Sequence, residues 1–395
     1  MNLEEATVPN NPRVLISGAS IAGPALAFWL ARNGFAPTVV ERTPALRDGG
    51  NGVDIRGDSV RIATEMGILP ALRERATDIR ELTFVDAADR RVAGMPTSTF
   101  NAEGDIEIMR GDLARVLYDA TADDVDYTFG DSIATIAQRP AGVDVTFDSG
   151  RQAEFDLVIG ADGLHSRVRN LAVRPEADAL HHLGIYFATA RVDADLGRPR
   201  SVVLYNTPGK VAGVYRSGNH DMATAFFAFR EPRVLDFDHR DQAAQKSLLH
   251  RYFGDLGWQV PTLLDQASAD EGFYLDAVSQ VRMPAWSNGR VALVGDAGYC
   301  ATLLSGAGAA LALEGAHLLA GELAAADGDH RVAFTRYQDR LRPTVLRRQR
   351  SVRASSAMLI PAAGSHIWLR NQLTRLSVLQ SMAARVYRPT PAEAA

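Results

Sequence analysis

Apolar residues occur in two kinds of run along the chain, and each kind predicts a different layer of structure. Four short continuous runs are typical of strands buried on both faces of a parallel sheet. They are RVLIS (13–17), PTVVE (37–41), DLVIGA (156–161) and RVALVG (290–295). Between residues 184 and 229 the runs are instead β-rich and broken by turn residues, which predicts a separate antiparallel sheet. A core domain is therefore predicted to be interrupted by a β-sheet domain and resumed after it.

The first two buried runs enclose a glycine turn, GASIAG (18–23), and a predicted helix that ends at Asn33–Gly34. Glu41 follows the glycines by about 20 residues, as the acid of a dinucleotide-binding unit does. In such a unit the helix N-terminus presents N–H groups to a pyrophosphate, and the acid accepts hydrogen bonds from a ribose. A glycine pattern alone is weak evidence, but strand, turn, helix, strand and acid in this order predict a dinucleotide site, with Ser20 at the middle glycine position.

Composition narrows the class of protein. The 395 residues are 46% hydrophobic and 23% charged, enough for two or three domains with a substantial core. A net charge of −5 argues against a nucleic-acid partner. The acidic N-terminus lacks the apolar region of a signal peptide, and the Ala/Leu-rich run near residue 314 is too polar to span a membrane. We expect a cytoplasmic protein without a membrane partner, in which Cys300, the single cysteine, is a small buried residue.

Three further motifs complete the pattern. They are MRGDLARVL (109–117), GADGLHSRVR (160–169), and VALVGDAG (291–298) with SGAGAALALEGAHLLAGEL (305–323). With the glycine turn, they resemble the class A FAD-dependent monooxygenases, the para-hydroxybenzoate hydroxylase-like family that includes a tetracycline-inactivating branch. The resemblance covers nearly the whole chain in the right order.

The resemblance implies an α/β fold with a Rossmann-like FAD-binding domain of the para-hydroxybenzoate hydroxylase type, an inserted antiparallel β-sheet substrate domain and C-terminal helices. The implied segments are 1–79, 103–177 and 286–345 for the FAD-binding domain, 80–102 and 178–285 for the substrate domain, and 346–395 for bridging helices.

The resemblance also implies which residues hold noncovalent FAD. They are Gly18, Ser20, Ile21, Ala22, Gly23, Glu41, Arg42, Asp54, Arg110, Asp162, Asp296, Gly306, Ala307 and Gly308. In this family the position of Arg110 lies against the cofactor, and that of Asp296 binds the ribityl chain. The alternative for Arg110 is an ordinary arginine at a helix start, paired with Asp112. The segment 48–60 matches the mobile segment beside the flavin ring, with Asp54 and Arg56 nearest to it.

The implied activity uses NADPH or NADH and O₂ to hydroxylate or epoxidise a largely apolar, aromatic or polyketide-type small molecule through a peroxyflavin, as in secondary metabolism and antibiotic biosynthesis. The aromatic β-domain suits such a substrate, and we expect Tyr215, Phe227 and Leu303 to contact it. No residue is assigned as catalytic. No metal site is predicted, since His181–His182 lies at a domain junction and is expected to be structural or solvated. A monomer or a homodimer is expected.

One loop departs from the family pattern. Ala301 and Leu303 occupy the positions of prolines, and Ala307 that of a glutamine. Proline stiffens a segment and removes a donor, whereas leucine and alanine do neither. This departure leaves an alternative function, a non-redox cyclase that holds FAD as a structural element and acts on a polyketide-like substrate.

Two C-terminal segments are predicted to be helical. RLRPTVLRRQRSVR (340–353) carries six arginines, which either attract the phosphates of NADPH or pair with acidic residues of the core. HIWLRNQLTRLSVLQSMAARVYR (366–388) is predicted to form an amphipathic helix that packs across the two domains.

Overall fold

The structure is a computed structural model that describes residues 11–47, 50–99, 101–238 and 241–375. The strands, in chain order, are β1 (Arg13–Ser17), β2 (Ala36–Glu41), β3 (Gly52–Ile55), β4 (Glu81–Val85), β5 (Arg91–Pro96), β6 (Ile106–Met109), β7 (Asp126–Phe129), β8 (Ile133–Gln138), β9 (Val143–Phe147), β10 (Gln152–Phe155), β11 (Leu157–Gly160), β12 (Leu180–Asp193), β13 (Ser201–Thr207), β14 (Lys210–Arg216), β15 (Met222–Arg230), β16 (Tyr274–Val281), β17 (Ser287–Asn288) and β18 (Val291–Leu293). The α-helices are α1 (Ala22–Arg32), α2 (Asp58–Glu65), α3 (Leu69–Glu74), α4 (Arg110–Asp119), α5 (Glu176–Ala179), α6 (Gln242–Phe253), α7 (Val260–Ala269), α8 (Asp296–Tyr299), α9 (Gly308–Ala325), α10 (His330–Leu359) and α11 (Gly364–Arg375).

The first sheet, called the parallel sheet below, has the strand order β17-β18-β11-β1-β2-β7. β1 lies between β2 and β11 and is parallel to both, and β11 is parallel to β18. These strands come from the continuous apolar runs of the sequence, and most of their residues are buried because helices cover the sheet. Since the strands are parallel, the segments that follow β1, β11 and β18 all emerge at one edge, where ligands bind in open α/β sheets.

The second large sheet, called the antiparallel sheet below, has the order β16-β12-β15-β14-β13-β4-β5. Its neighbouring strands are antiparallel except for β13 and β4. One face packs on α6 and α7 in a core that includes Phe227 and Phe253. The opposite face packs on Leu304, Val352 and Ile360, which follow the parallel sheet in the chain. The antiparallel sheet therefore presents its second face to the edge where the parallel strands end.

The strands of the antiparallel sheet fall within 80–102 and 178–285, the two segments assigned to a substrate domain. The hairpin expected around Asp148-Ser149-Gly150 is formed by β9 and β10. The division of the chain into domains stays a prediction.

The arginine-rich segment 340–353 lies within α10, a helix of 30 residues that contains Pro343. Arg340 forms an ion pair with the buried Glu322 of α9. The expected amphipathic helix begins as α11, and residues 376–388 lie outside the described residues. None of the described helices is long and apolar enough to cross a membrane.

Candidate functional site

The glycine turn after β1 requires glycine at two of its positions. Gly18 has φ +112°, and a Cβ atom there would lie 2.5 Å from the carbonyl oxygen of Ala161. A Cβ atom on Gly23 would overlap the carbonyl oxygen of Gly18. At the middle position Ser20 is accommodated, and its hydroxyl accepts a hydrogen bond from Arg110 Nη2 at 3.0 Å. The turn thus brings the N-terminus of α1 close to the end of β11, with Ser20 facing a cation.

The N-terminus of α1 is available to an anion. Ile21 and Ala22 begin the helix, and no side chain of the described residues caps it. N–H groups at such a terminus carry partial positive charge and favour phosphate. Both residues are almost fully buried, at 8% and 7% exposure, so their contribution comes from the backbone.

Glu41 is held at the end of β2 as a carboxylate. Its Oε2 accepts a hydrogen bond from Ala19 N at 2.9 Å, and its Oε1 accepts from Thr43 N and Thr43 Oγ1 at 2.9 Å. Burial alone would raise the pKa of Glu41, but these hydrogen bonds hold it below its ordinary value. The acid is therefore ionised at neutral pH and fixed beside the glycine turn. Arg42, the next residue, is exposed.

Arg110 starts α4, directly after β6, and reaches across to Ser20. Asp112, its proposed partner in the simpler interpretation, instead lies 3.0 Å from His220 Nε2. Arg110 is thus directed to the glycine turn rather than to its own helix.

The carboxylate of Asp162 is engaged within its own loop, and its assignment to FAD stays a prediction. Its carboxylate accepts hydrogen bonds from Ser166 Oγ and from the N–H groups of Arg167, at 2.8 Å, and Val168, at 3.0 Å. Both carboxylate oxygens are thus engaged within its own loop. The fully buried Arg169 donates to Leu164 O at 2.7 Å and Ala297 O at 3.0 Å, which ties this loop to α8. The motif shapes the wall beside Gly18, where a Cβ atom would lie 3.1 Å from Asp162 Cα.

Asp296 is the first residue of α8 and follows Gly295, whose φ is +67°. Its side chain is exposed to solvent but partly surrounded by protein, and the space that it faces beside the start of α1 is called the recess below. This enclosure raises the pKa of Asp296, while the positive charge of Arg110 opposes the rise. A Cβ atom on Gly295 would lie 3.0 Å from Ala22 Cβ, so the recess adjoins the start of α1.

The loop before α9 closes the recess from another side. Gly306 is left-handed with φ +61°, Ala307 precedes the helix, and Gly308 is its first residue. No described side chain caps this helix either, so its N-terminus can face a polar ring edge. A Cβ atom on Gly306 would lie 3.5 Å from Asp54 Oδ2, which places the predicted flavin segment across from this loop. The expected prolines are absent, and Thr302 has φ +87°, an unusual conformation for a β-branched residue.

These groups fit FAD. An uncapped helix N-terminus and Arg110 suit a pyrophosphate, while Glu41 suits the hydroxyls of a ribose. Asp296, in the recess next to α1, suits further hydroxyls, and the start of α9 suits a polar ring edge. Glycine is required at two positions of the turn, where backbone segments come close together. This shape is consistent with a pyrophosphate beside the N–H groups of α1.

A pair of carboxylates beside this recess was not anticipated. Asp54 of β3 and Glu107 of β6 are directly opposite in an antiparallel pair, where like charges repel. Arg56 Nη2 forms an ion pair with Asp54 Oδ1 at 2.8 Å. Burial, and then the charge of Asp54, raise the pKa of Glu107 to about 7, although Tyr215 and Thr77 partly stabilise its carboxylate. Glu107 therefore titrates near neutral pH. The only signal in the sequence was an acid within the apolar run IEIM (106–109).

Glu107→Gln is expected to flatten the pH dependence of stability. The folded pKa of about 7 lies above the ordinary 4.5, so the stabilisation is complete below about pH 4.5 and is lost as the pH rises through 7. That difference corresponds to about 3 kcal/mol in the free energy of unfolding. Urea denaturation between about pH 5 and about pH 8 measures it. Glu103→Gln, an exposed neighbour, is the control. Parallel pH profiles for wild type and Glu107→Gln would show that another group titrates.

Phe227 does not lie on the face of the antiparallel sheet that meets the recess. Phe227 is fully buried, and its ring contacts that of Phe253 at 5.1 Å between centroids, on the helix-covered face. The preceding residue, Phe226, points the other way and stacks on Phe187 at 6.4 Å. Strand alternation places the two phenylalanines on opposite faces. The packing of Phe227 therefore does not support its predicted contact with the substrate, and Phe226 is the phenylalanine on the recess side.

Of the other two residues expected to contact the substrate, Tyr215 lies on the recess side. Tyr215 of β14 shares a face with Phe226, and its hydroxyl lies against Gly52 of β3, where a Cβ atom would be 3.1 Å away. Leu303 precedes Leu304, which packs on this face, and is itself 44% exposed. Cys300, as expected, is buried, and burial raises the pKa of its thiol.

A hydrogen-bonded chain at the start of β16 was also missed. Tyr274, which is 43% exposed, donates to Asp276 Oδ2 at 2.7 Å. His165 lies between Asp276, at 2.7 Å, and Glu176, at 2.9 Å. Burial alone would lower the pKa of His165, but its two carboxylate partners raise it to about 9. These residues are distant in sequence, so no local pattern revealed the chain.

Comparison with known proteins gives consistent results. The model of the FAD binding domain family matches residues 11–344. A flavin-dependent monooxygenase of Legionella longbeachae is 40% identical over 337 residues, which cover 85% of this chain and 86% of that protein. An uncharacterized protein of Mycobacterium tuberculosis is 43% identical over 340 residues, covering 85% of this chain and 91% of that protein. The crystal structure of tetracycline destructase Tet(51) is 36% identical, with a TM-score of 0.83 and coverage of 96% of this chain and 100% of that chain. The expected α/β fold is confirmed.

Proposed function

This chain belongs to the flavin-dependent monooxygenases that share the FAD binding domain, and from that membership we propose that it inserts one oxygen atom of O₂ into a flat, largely apolar ring compound, with NADPH or NADH as reductant. The observation that carries the proposal is the convergence of Ser20, Glu41, Arg110 and Asp296 on a recess that the Phe226 face of the antiparallel sheet adjoins. Cofactor and substrate residues then meet at one place.

FAD is the cofactor of this enzyme, and when bound it supplies the chemistry that reduces and activates O₂. We assign its pyrophosphate to the start of α1, with Arg110 held over it by Ser20. Glu41 would bind the adenosine ribose, Asp296 the ribityl hydroxyls, and the start of α9 the pyrimidine edge of the ring. Asp162 would act by shaping its loop rather than by direct contact.

The substrate side is apolar where the ring compound would lie. Phe226, Phe187 and the exposed Leu303 provide ring and alkyl surface, and Tyr215 adds a polar edge next to Glu107. Such walls orient a ring compound and keep water from the reacting atoms. Because the pKa of Glu107 is raised to about 7, its carboxyl can hold or release a proton beside Tyr215 at neutral pH.

The tetracycline destructases suggest the first compound to test. The similarity to Tet(51), at 36% identity, extends over nearly the whole of both chains. Tetracycline is therefore the first probe, followed by other polycyclic phenols. The alternative of a non-redox cyclase is not favoured, because relatives at 39% and 40% identity are flavin-dependent monooxygenases.

The deciding experiment tests FAD binding, reduction of the flavin and oxygenation of the substrate as separate steps. Purified protein is expected to be yellow and to release FAD on denaturation. Anaerobic NADPH or NADH should bleach the visible flavin absorbance faster with tetracycline present, and readmitted oxygen should yield a product heavier by one oxygen atom. Product formed with oxidised flavin, without nicotinamide or oxygen, would instead establish the cyclase. Protein that takes up no FAD would overturn the proposal.

Phe226→Ala and Phe227→Ala are expected to affect different properties, tetracycline binding and stability respectively. Phe227→Ala should lower the free energy of unfolding by about 3–5 kcal/mol, because it empties a packed site against Phe253. Phe226→Ala should weaken tetracycline binding by about tenfold, since it removes a ring from the recess side, on the order of 1.4 kcal/mol. Urea denaturation and flavin-fluorescence titration with tetracycline measure the two effects. If Phe227→Ala weakens tetracycline binding and Phe226→Ala does not, the substrate contacts the Phe227 face of the sheet instead.

A further inference from the structure

A second cleft in the molecule is lined by cations. It has a volume of about 620 Å³ and lies between the end of β16, the segment around α5, and α10. Its charged lining residues are Arg174, Asp178, Arg282, Arg342 and Arg350, and His181 and Tyr299 also line it. None of the residues assigned to FAD is among those that line it.

The guanidinium groups of this cleft are not neutralised by the protein. Within the described residues, none of the four arginines forms an ion pair with a carboxylate, and Asp178 forms none either. Four arginines and one aspartate leave an excess of three positive charges on the lining, with the histidine counted as neutral. Concave surfaces that carry one sign of charge focus the electrostatic field and attract counter-ions.

Two of the arginines are held in place by neutral acceptors. Arg342 donates to Met283 O at 3.2 Å and Pro284 O at 2.6 Å, and its guanidinium lies 5.1 Å from the ring centroid of Trp286. Arg282 donates twice to Gln280 Oε1, at 3.0 and 2.6 Å. Carbonyl and amide oxygens orient a guanidinium without cancelling its charge, so little side-chain entropy remains to be lost on binding.

The amide that orients Arg282 is itself fixed. Gln280 Nε2 donates to Gln349 O at 2.8 Å and Ala301 O at 3.3 Å, and all of these groups are buried. Gln349 Nε2 donates to Val281 O at 2.9 Å and Cys300 O at 3.1 Å. The wall of the cleft is therefore a rigid, hydrogen-bonded structure, and Arg350 extends from the same helix turn as Gln349.

We propose that this cleft binds a phosphate-bearing small molecule of the size of a nucleoside diphosphate. Planar guanidinium groups match phosphate oxygens in pairs, and a diphosphate carries about as much negative charge as the lining has in excess. The volume falls within the range of small-molecule sites, roughly 300–1,000 Å³. Arg282 and Arg342 are the oriented contacts, and the exposed Arg350 is the third.

The test uses the FAD-loaded protein and two probes, inorganic pyrophosphate and ADP, titrated calorimetrically at constant ionic strength. Both are expected to bind at one site, and Arg350→Ala and Arg282→Ala are each expected to weaken binding about tenfold. Arg336→Ala, an exposed arginine of α10 outside the cleft, is the control and should bind as wild type does. No turnover is measured, so the result is independent of the proposed oxygenation.

Two outcomes would overturn the proposal. One is the absence of binding of both probes; the other is equal weakening by Arg336→Ala and Arg350→Ala, which would reflect net charge alone. A lipid source of the phosphate is tested by sedimentation with phosphatidylcholine vesicles that contain phosphatidic acid. Vesicle binding that Arg350→Ala abolishes, without binding of pyrophosphate or ADP, would replace the small molecule by a lipid headgroup.

Discussion

Asp296→Ala is expected to yield protein that loses FAD during purification, with an affinity for FAD lowered on the order of 100-fold. A carboxylate that accepts hydrogen bonds from two hydroxyls contributes about 1.5–3 kcal/mol for each bond. The structure places this carboxylate at the start of α8, in the recess beside α1. Titration of the apoprotein with FAD, followed by flavin fluorescence, measures the loss.

The same substitution should leave the apoprotein at least as stable as the wild type. Enclosure raises the pKa of Asp296, so the ionised carboxylate is not stabilised by the protein alone. Asp296→Asn, which keeps one acceptor oxygen, should bind FAD with intermediate affinity. Asp58→Ala removes an exposed acid from the first turn of α2 and is the matched control. An unchanged flavin content in Asp296→Ala would show that the ribityl contact has been misplaced.

Gly23→Ala is expected to abolish FAD binding and to destabilise the fold by about 3 kcal/mol. The added methyl group would overlap the carbonyl oxygen of Gly18 and contact Ile16 Cγ2 at 3.4 Å. Backbone cannot rotate away as the end of a long side chain can, so α1 must move from β1 and its N-terminus must leave the pyrophosphate position. Urea denaturation and FAD content after purification measure both effects.

Gly34→Ala is the matched control for this prediction. Gly34 ends the same helix with φ +81°, and no atom lies within 4 Å of the position of a Cβ. An alanine there costs about 1 kcal/mol of backbone strain and should leave FAD binding intact. Full FAD binding by Gly23→Ala would show that close approach at this turn is not required.

Much of the cofactor side was predictable from sequence because it is local. Gly18, Gly23 and Glu41 belong to one strand–turn–helix–strand unit, whose geometry follows from short-range sterics and hydrogen bonding. The role of Ser20 was not predictable to the same degree. Its hydroxyl accepts a hydrogen bond from Arg110, which is 90 residues away in the sequence. A local sequence pattern does not show which distant residues come into contact.

The substrate side shows where pattern reasoning stops. The alternation in MATAFFAF predicted correctly that neighbouring phenylalanines point to opposite faces of β15. It did not determine that α6 and α7 would cover the Phe227 face and leave the Phe226 face toward the recess. Alternation shows that successive side chains lie on opposite faces, but it does not show which face is covered. That depends on the helices and loops that pack against the sheet.

The FAD-binding unit, the insertion of a β-rich segment into it and the family of the chain can all be inferred from local sequence patterns. Which groups from distant segments face one another depends on the three-dimensional packing. The structure supplied that information. It buried Glu107 and set it opposite Asp54, which together raise the pKa of Glu107 to about 7, and it placed Arg282 and Arg350 on one cleft. Hydrogen bonding and sterics act over a few residues and leave a local pattern. Electrostatic coupling and burial depend on which segments pack together in three dimensions.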